Sequence, residues 1–385
     1  MFSTLNRHQT RASKWRECQD DKHELLAFSV ADSDYETAPA ILKAIQARAE
    51  HGAFGYTDPC SDYPEVYLSW SRRRYHLEAD ASWLVLGSKV LTSLSLLLEI
   101  LTQEGEDVVI LSPVYHNFYT VIKRTRRVVS ASALNVDDHG RYTMNLEDLE
   151  ARFQGGAKTL ILCHPHNPVG RVWQPEELEA LLTLCDKYGV FVISDEVHSD
   201  IVMPGVTFKS LLAFSEHRSR MVVLQAISKT FNLAGLQFSH VIIPNETLRQ
   251  RFKDVLAQRF LDQPNVFALT AAAVCYTACD EWVDAQNVHI AQNFALLKER
   301  LAAFPSLRIS PLEGTYLAWV DASHYHHLSG NLFDKLKDAG VVFCKGDDYA
   351  PCCEGYLRWN IACSKAQLEE GLAKVASVLS SINTI

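Results

Sequence analysis

Between residues 83 and 244 the apolar positions of this chain alternate between two textures. Short continuous runs rich in Val, Ile and Leu are WLVLG (83–87), DVVIL (107–111), TLILC (159–163), VFVIS (190–194), MVVLQ (221–225) and SHVIIP (239–244). Runs of that length without alternation read as strands buried on both faces. Helical spacing lies between them, as in PEELEALLTLCDKYG (175–189), with proline in the first turn and glycine at the end. Strand–helix–strand repetition predicts a doubly wound or mainly parallel α/β sheet.

The texture changes outside that region. Helical segments run over 246–262 and 281–304, followed by strand-like LEGTYLAWVDA (312–322) and a helix near 330–339. Then come VVFCKG (341–346), YLRWN (356–360) and a last helix, KAQLEEGLAKVASVLSSI (365–382). This predicts a smaller α+β domain from residues 1–45 and 281–385, beside a large α/β domain over 46–280. The first 45 residues read as an irregular arm leading into a helix, with Thr37 as its cap, Pro39 in its first turn, and Ile41, Ile45 and Ala49 on its apolar face. HGAFGYTDP (51–59) reads as a loop with an apolar tip at Phe54 and Tyr56.

Composition narrows the function classes. With 385 residues, 48% hydrophobic and 22% charged, the chain has ample material for two cores. A formal charge of −9 argues against nucleic-acid binding, which needs a basic face. No apolar run reaches membrane-spanning length, and no secretory signal is visible at the N-terminus. Ten cysteines without a CxxC pair, several inside apolar runs, read as reduced core thiols, with Cys18 among the ten; this predicts the cytoplasm.

Chemistry-bearing residues sit just past the predicted strand ends, where open parallel sheets bind ligands. Gly87-Ser88-Lys89 precedes a helix whose first free N–H groups, from Val90 onward, make a candidate anion cradle. Tyr115 follows the next strand, and Asn167 lies between two prolines in His164-Pro165-His166-Asn167-Pro168. Asp195-Glu196-Val197-His198 and Ser228-Lys229 end the last two parallel runs. A carboxylate and a lysine delivered together are what pyridoxal phosphate (PLP) requires: an amine for its aldehyde and an anion for its pyridinium nitrogen. A carboxylate ~4 Å from that nitrogen gains about 4 kcal/mol at an effective dielectric near ~20. That is about three pKa units, enough to keep the nitrogen protonated. Asp32 and Asp34 could be paired acids. HYHH (324–327) reads as a polar surface loop, not a metal site.

These segments, in this order, resemble the fold-type I PLP enzymes of the aminotransferase class I/II superfamily along essentially the whole chain. The narrower resemblance is to MalY/PatB-type C–S β-lyases (cystathionine β-lyase-like). It is carried by SKW (13–15), VADSDYETAP (30–39), HGAFGY (51–56), HNPVGRVW (166–173), SDEVHSD (194–200), SKTFN (228–232) and TYLAW (315–319). The resemblance implies that Lys229 holds the cofactor aldehyde and moves the Cα proton, Asp195 pairs with the pyridine nitrogen, Asn167 and His198 meet O3′, and Tyr115 stacks on the ring. Ser88, Val90 and Ser228 would lie along the phosphate; Lys89 either supplies part of the phosphate charge or points to solvent, leaving only the backbone N–H groups near Lys89 and Val90 in contact. Arg358 would clamp the substrate α-carboxylate, and Asp32 would meet the substrate through its backbone. Tyr56 would reach the phosphate and substrate of a neighbouring subunit, which implies a homodimer with shared active sites.

The chain departs from the wider pattern at the phosphate, with Ala226 and Gln237 where relatives carry a hydroxyl and an arginine, and Lys89 where they tend to carry Ser. The implied activity is β-elimination from cystathionine or an S-substituted L-cysteine, giving a thiol, pyruvate and ammonia. The rivals are an L-amino-acid aminotransferase and an enzyme with an added regulatory protein-binding role.

Overall fold

The computed structural model describes residues 2–7, 10–16 and 25–382. Cys18 lies outside the described residues. A seven-stranded sheet forms the centre, in the spatial order Leu84–Gly87, Ser239–Ile242, Met221–Gln225, Phe191–Asp195, Thr159–Cys163, Asp107–Ser112, Val128–Ala133. All neighbours are parallel except Ser239–Ile242, which is antiparallel to both of its partners. Four of the inner strands are buried almost throughout, which is why their sequences do not alternate.

The connection order reverses beside Asp107–Ser112. The chain runs outward from it to Val128–Ala133, and then returns to place Thr159–Cys163 on its other side. A crevice opens at such a point, beyond the carboxyl ends of the strands.

The predicted helix at 175–189 is Pro175–Tyr188. Gln174 and Glu177 close it with a reciprocal capping box, and Gly189 ends it at φ +66, which costs glycine nothing. The helix after the arm, Pro39–Glu50, starts as predicted, but Thr37 does not cap it: Ala38 occupies the cap, and the Thr37 hydroxyl donates to Phe231 O at 2.8 Å. Helices Tyr63–Tyr75 and Val266–Ala278 are additional to the sequence reading. The second is apolar on nearly every side, so periodicity gives it no signature.

Beyond the long helix Asp280–Leu301 comes an antiparallel sheet in the order Arg308–Ile309, Leu317–Asp321, Tyr356–Asn360, Cys344–Lys345. HYHH is a helix, Ser323–Ser329, not a loop: Asp321 Oδ1 accepts from Ser323 N and Oγ at its entry, and Tyr325 is buried beneath it.

The arm is tied down by charge. Asp34 is fully buried and accepts from Lys14 Nζ at 2.6 Å, Trp15 Nε1 at 2.9 Å, Arg7 at 3.0 Å and Gln367 at 3.1 Å. A buried carboxylate survives only with that kind of company. The pairing accounts for SKW and VADSD as one structural unit.

Candidate active site

The polar residues past the strand ends converge on two adjoining cavities that share Tyr115, Asp195, Val197 and Lys229. One is walled by Lys89, Val90, Ser228, Gln237 and Phe238, and the other by Val30, Ala31, His116, Asn167, His198, Cys344 and Arg358.

Lys229 projects from the short helix Ile227–Thr230, directly after the strand Met221–Gln225. Its Nζ donates to Ala31 O at 2.8 Å. Burial, then the Arg358 charge, lowers its pKa to about 8. Asp195 closes the neighbouring strand; its Oδ1 accepts from Val197 N at 3.2 Å. Among the described residues no ion pair reaches this buried carboxylate, and desolvation raises its pKa to about 6.

Arg358 lies on the strand Tyr356–Asn360 and is only 2% exposed. It donates to Asn167 Oδ1 at 3.2 Å, Ser29 O at 2.8 Å and Cys344 Sγ at 3.3 Å, while its Nε has no partner among the described residues. Tyr349 lies 5.0 Å from the guanidinium. Each of these contacts is neutral, so among the described residues a buried cation faces the cavity without an anion. With Asn167 Oδ1 taken by Arg358, the amide's two N–H donors remain for a ligand. His198 is buried with Nδ1 unpartnered among the described residues, and desolvation pushes its pKa well down, so its ring is neutral. Tyr115 stands at the N-terminal cap position of the helix His116–Arg124, and its hydroxyl accepts from Asn117 at 2.7 Å.

Ser88, Lys89 and Val90 form the turn into the helix Val90–Leu101, and no side chain caps its N-terminus. Lys89 is exposed. Ser228 and Gln237 share the wall; Gln237 holds φ +55 in the left-handed region.

Two predicted residues stand elsewhere. Asp32 does not line the cavity: its carboxylate is gripped by Arg7 at 2.9 Å, its N–H donates to Val30 O, and its carbonyl accepts from Asn360 and Lys14. Val30 and Ala31 take the place assigned to it, because the ion-pair knot turns Asp32 away. Asp34 is structural for the same reason. Tyr56 is 96% exposed and Phe54 53% exposed, so neither is packed into this chain's own site.

The structure adds His116, Cys344 and the carbonyls of residues 29–31. His116 is legible beside Tyr115 in the same post-strand turn. Cys344 is not, since only cross-strand register sets it opposite Arg358.

Residues 23–375 match the family described as aminotransferase class I and II, and the chain belongs to it. Among its relatives, cystathionine beta-lyase PatB of Bacillus subtilis (strain 168) is 34% identical over 361 residues, covering 93% of each chain. Protein MalY of Escherichia coli (strain K12) is 31% identical over 389 residues, covering 98% of each. The crystal structure of cystalysin from Treponema denticola, which contains a pyridoxal 5'-phosphate cofactor, superposes with TM-score 0.93 at 28% identity over 99% of each chain. The PLP-bound C-S lyase from Staphylococcus hominis gives TM-score 0.92 at 29% identity, covering 98% of this chain and 97% of that one.

Proposed function

We propose that this protein is a PLP-dependent carbon–sulfur β-lyase that cleaves cystathionine or an S-substituted L-cysteine to a thiol, pyruvate and ammonia. The observation that carries it is the pairing of Lys229 and Asp195 in one cavity with a buried guanidinium, Arg358, that meets no anion among the described residues. The relatives and the two PLP-bound structures support the same class.

The residues fit the cofactor on their own chemistry. Asp195 is a desolvated carboxylate whose charge is unfavourable until a cation such as a pyridinium N–H meets it. Asn167 and His198 have unspent hydrogen-bonding capacity on the same cavity. Lys229 would hold the aldehyde. The uncapped helix start at Val90, with Ser88, Lys89 and Ser228, would meet the phosphate. Tyr115 would face the ring.

When bound, PLP supplies an electron sink that makes the substrate Cα–H acidic. Arg358 binds the α-carboxylate with its planar fork and so fixes which Cα bond faces Lys229. Lys229 Nζ, its pKa lowered to about 8, takes the Cα proton at near-neutral pH. The sulfur then leaves as thiolate. Val30 and Ala31 line this side of the cavity.

An aminotransferase would use the same base and clamp, and the family includes such enzymes. Incubation of PLP-loaded protein with L-cystathionine and no keto acid separates the two: the lyase forms pyruvate catalytically, whereas turnover only after adding a keto acid overturns the proposal. Loss of the visible cofactor band in Lys229→Ala tests the lysine independently.

The exposed tip of Phe54 and Tyr56 supports a homodimer in which Tyr56 enters the neighbouring site. The two-domain division is retained in this reading, but its first boundary moves from residue 45 to the turn before Pro39, because Pro39–Glu50 is one helix packed on Val266–Ala278. Nine free thiols among the described residues support a reducing compartment, the cytoplasm.

A further inference from the structure

Four consecutive carbonyls of the N-terminal arm are each held by a side chain from around the site. Ser29 O accepts from Arg358 at 2.8 Å, and Val30 O from Asn360 Nδ2 at 2.7 Å. Ala31 O accepts from the Tyr316 hydroxyl at 3.0 Å and from Lys229 Nζ at 2.8 Å. Asp32 O accepts from Asn360 Nδ2 at 2.7 Å and Lys14 Nζ at 3.1 Å. Tyr316 and Asn360 are fully buried, and the bond from Tyr316 to Ala31 O is itself buried.

Tyr316 is delivered by a strained turn. Thr315 precedes it at φ +69, a conformation that a β-branched residue rarely adopts. It persists because Thr315 N donates to Ile201 O at 2.8 Å and Thr315 Oγ1 accepts from Leu317 N at 3.1 Å. Strain held by several bonds clusters at functional sites. The Tyr316 hydroxyl is the product of this turn, and among the described residues its acceptor is the carbonyl that also receives the lysine.

We propose that Tyr316 is a positioning residue for Lys229. Its hydroxyl occupies one lone-pair direction of Ala31 O and fixes that carbonyl, and the other direction holds the lysine amine inside the cavity. A lysine on its four-carbon stem has many rotamers. Held at one acceptor, the amine returns to the same place whenever it is not engaged elsewhere, and proton transfer depends steeply on that placement. This rests on the reading of Lys229 as the lysine that moves the Cα proton.

The test uses Tyr316→Phe, which keeps the ring and removes the hydroxyl. In full-length cofactor-free protein, reductive methylation with formaldehyde and cyanoborohydride is followed peptide by peptide by mass spectrometry. Lys229 should label faster by about two- to ten-fold, the range of one hydrogen bond, with exposed Lys89 unchanged as the internal standard. In the PLP-loaded enzyme, kcat should fall by a similar factor while KM stays within about two-fold, since Tyr316 touches no substrate. Thr315→Gly accepts the positive φ but frees the turn, and should move the labelling in the same direction. Unchanged Lys229 labelling in both variants, or a rise in KM without a fall in kcat, would overturn the proposal. The labelling reads the grip on the amine whatever the reaction proves to be. A cofactor band that survives Lys229→Ala would instead remove the functional reading of the lysine.

Discussion

Arg358 and Asp195 are each buried without an ion-pair partner among the described residues. Truncating Arg358 is uninformative, because it also opens a void. Arg358→Lys keeps the charge and loses the fork. Steady-state kinetics should show KM for the amino acid raised by at least about ten-fold, as expected when a bidentate carboxylate contact is lost.

Asp195 permits a prediction with a definite sign. Its folded pKa is raised from 3.8 to about 6 by desolvation. The folded chain therefore keeps a proton that the unfolded chain has already released. Stability of the cofactor-free protein from this group is complete below pH ~4, falls between pH ~4 and ~6, and stays reduced above that, by up to about 3 kcal/mol. Asp195→Asn should accordingly raise the melting temperature of cofactor-free protein at pH 7.5, with little effect at pH 4. The same variant should bind PLP more weakly, measured by titration of the visible band. A destabilised Asp195→Asn protein at pH 7.5 would contradict this account.

Among the elements, the turn from His166 to Trp173 does the most to place the site. Asn167 is held there because Arg171, buried beneath the turn, joins three segments: it pairs with Glu177 of the helix Pro175–Tyr188 at 2.6 Å and with Glu313 at 2.9 Å, and it donates to Tyr142 O. Glu313 also accepts from Val172 N at 3.0 Å and pairs with Arg141. Glu313 stands two residues before Thr315, so one ion-pair cluster fixes both the Asn167 turn and the Tyr316 turn. Removing one member leaves a buried cation short of a partner, which costs about 3–5 kcal/mol. Glu313→Ala should lower the unfolding free energy measured by urea titration by that amount, and should weaken PLP binding more than Lys187→Ala, a change in an exposed pair elsewhere on the surface.

At the scale of the whole molecule, the exposed tip at Phe54 and Tyr56 defines the prediction. If Tyr56 completes the site of a second copy, Tyr56→Ala and Lys229→Ala are defects in different subunits of one site. Unfolding and refolding the two variants together should restore about a quarter of wild-type pyruvate formation: half the dimers are mixed, and each mixed dimer has one intact site of two. Each variant refolded alone should stay low. Absence of restoration, with mixed dimers present by mass, would show that Tyr56 serves no neighbouring site.

Much of this protein was legible from residue order alone. Unbroken Val/Ile/Leu runs identify strands covered on both faces, and polar groups immediately after them must lie at the carboxyl edge of the sheet. Lys229, Asp195, Asn167, Tyr115 and the turn at Ser88-Lys89-Val90 were found that way, since each is local to a strand end. Arg358 needed the family resemblance as well, because it reaches the cavity from another sheet. What lay beyond the sequence was whatever depends on segments far apart in the chain. Asp32 looked available until Arg7, Lys14 and Asn360 claimed each of its groups. HYHH looked like a loop until Asp321 and the buried Tyr325 organised it as a helix. The grip of Tyr316 on Ala31 O joins residues 285 positions apart. Hydrophobic pattern is a property of neighbours along the chain, so it determined the sheet and the residues at its edge. Hydrogen bonds and charge pairing between distant segments have no such periodicity, and only the tertiary structure decided which carbonyl holds the lysine.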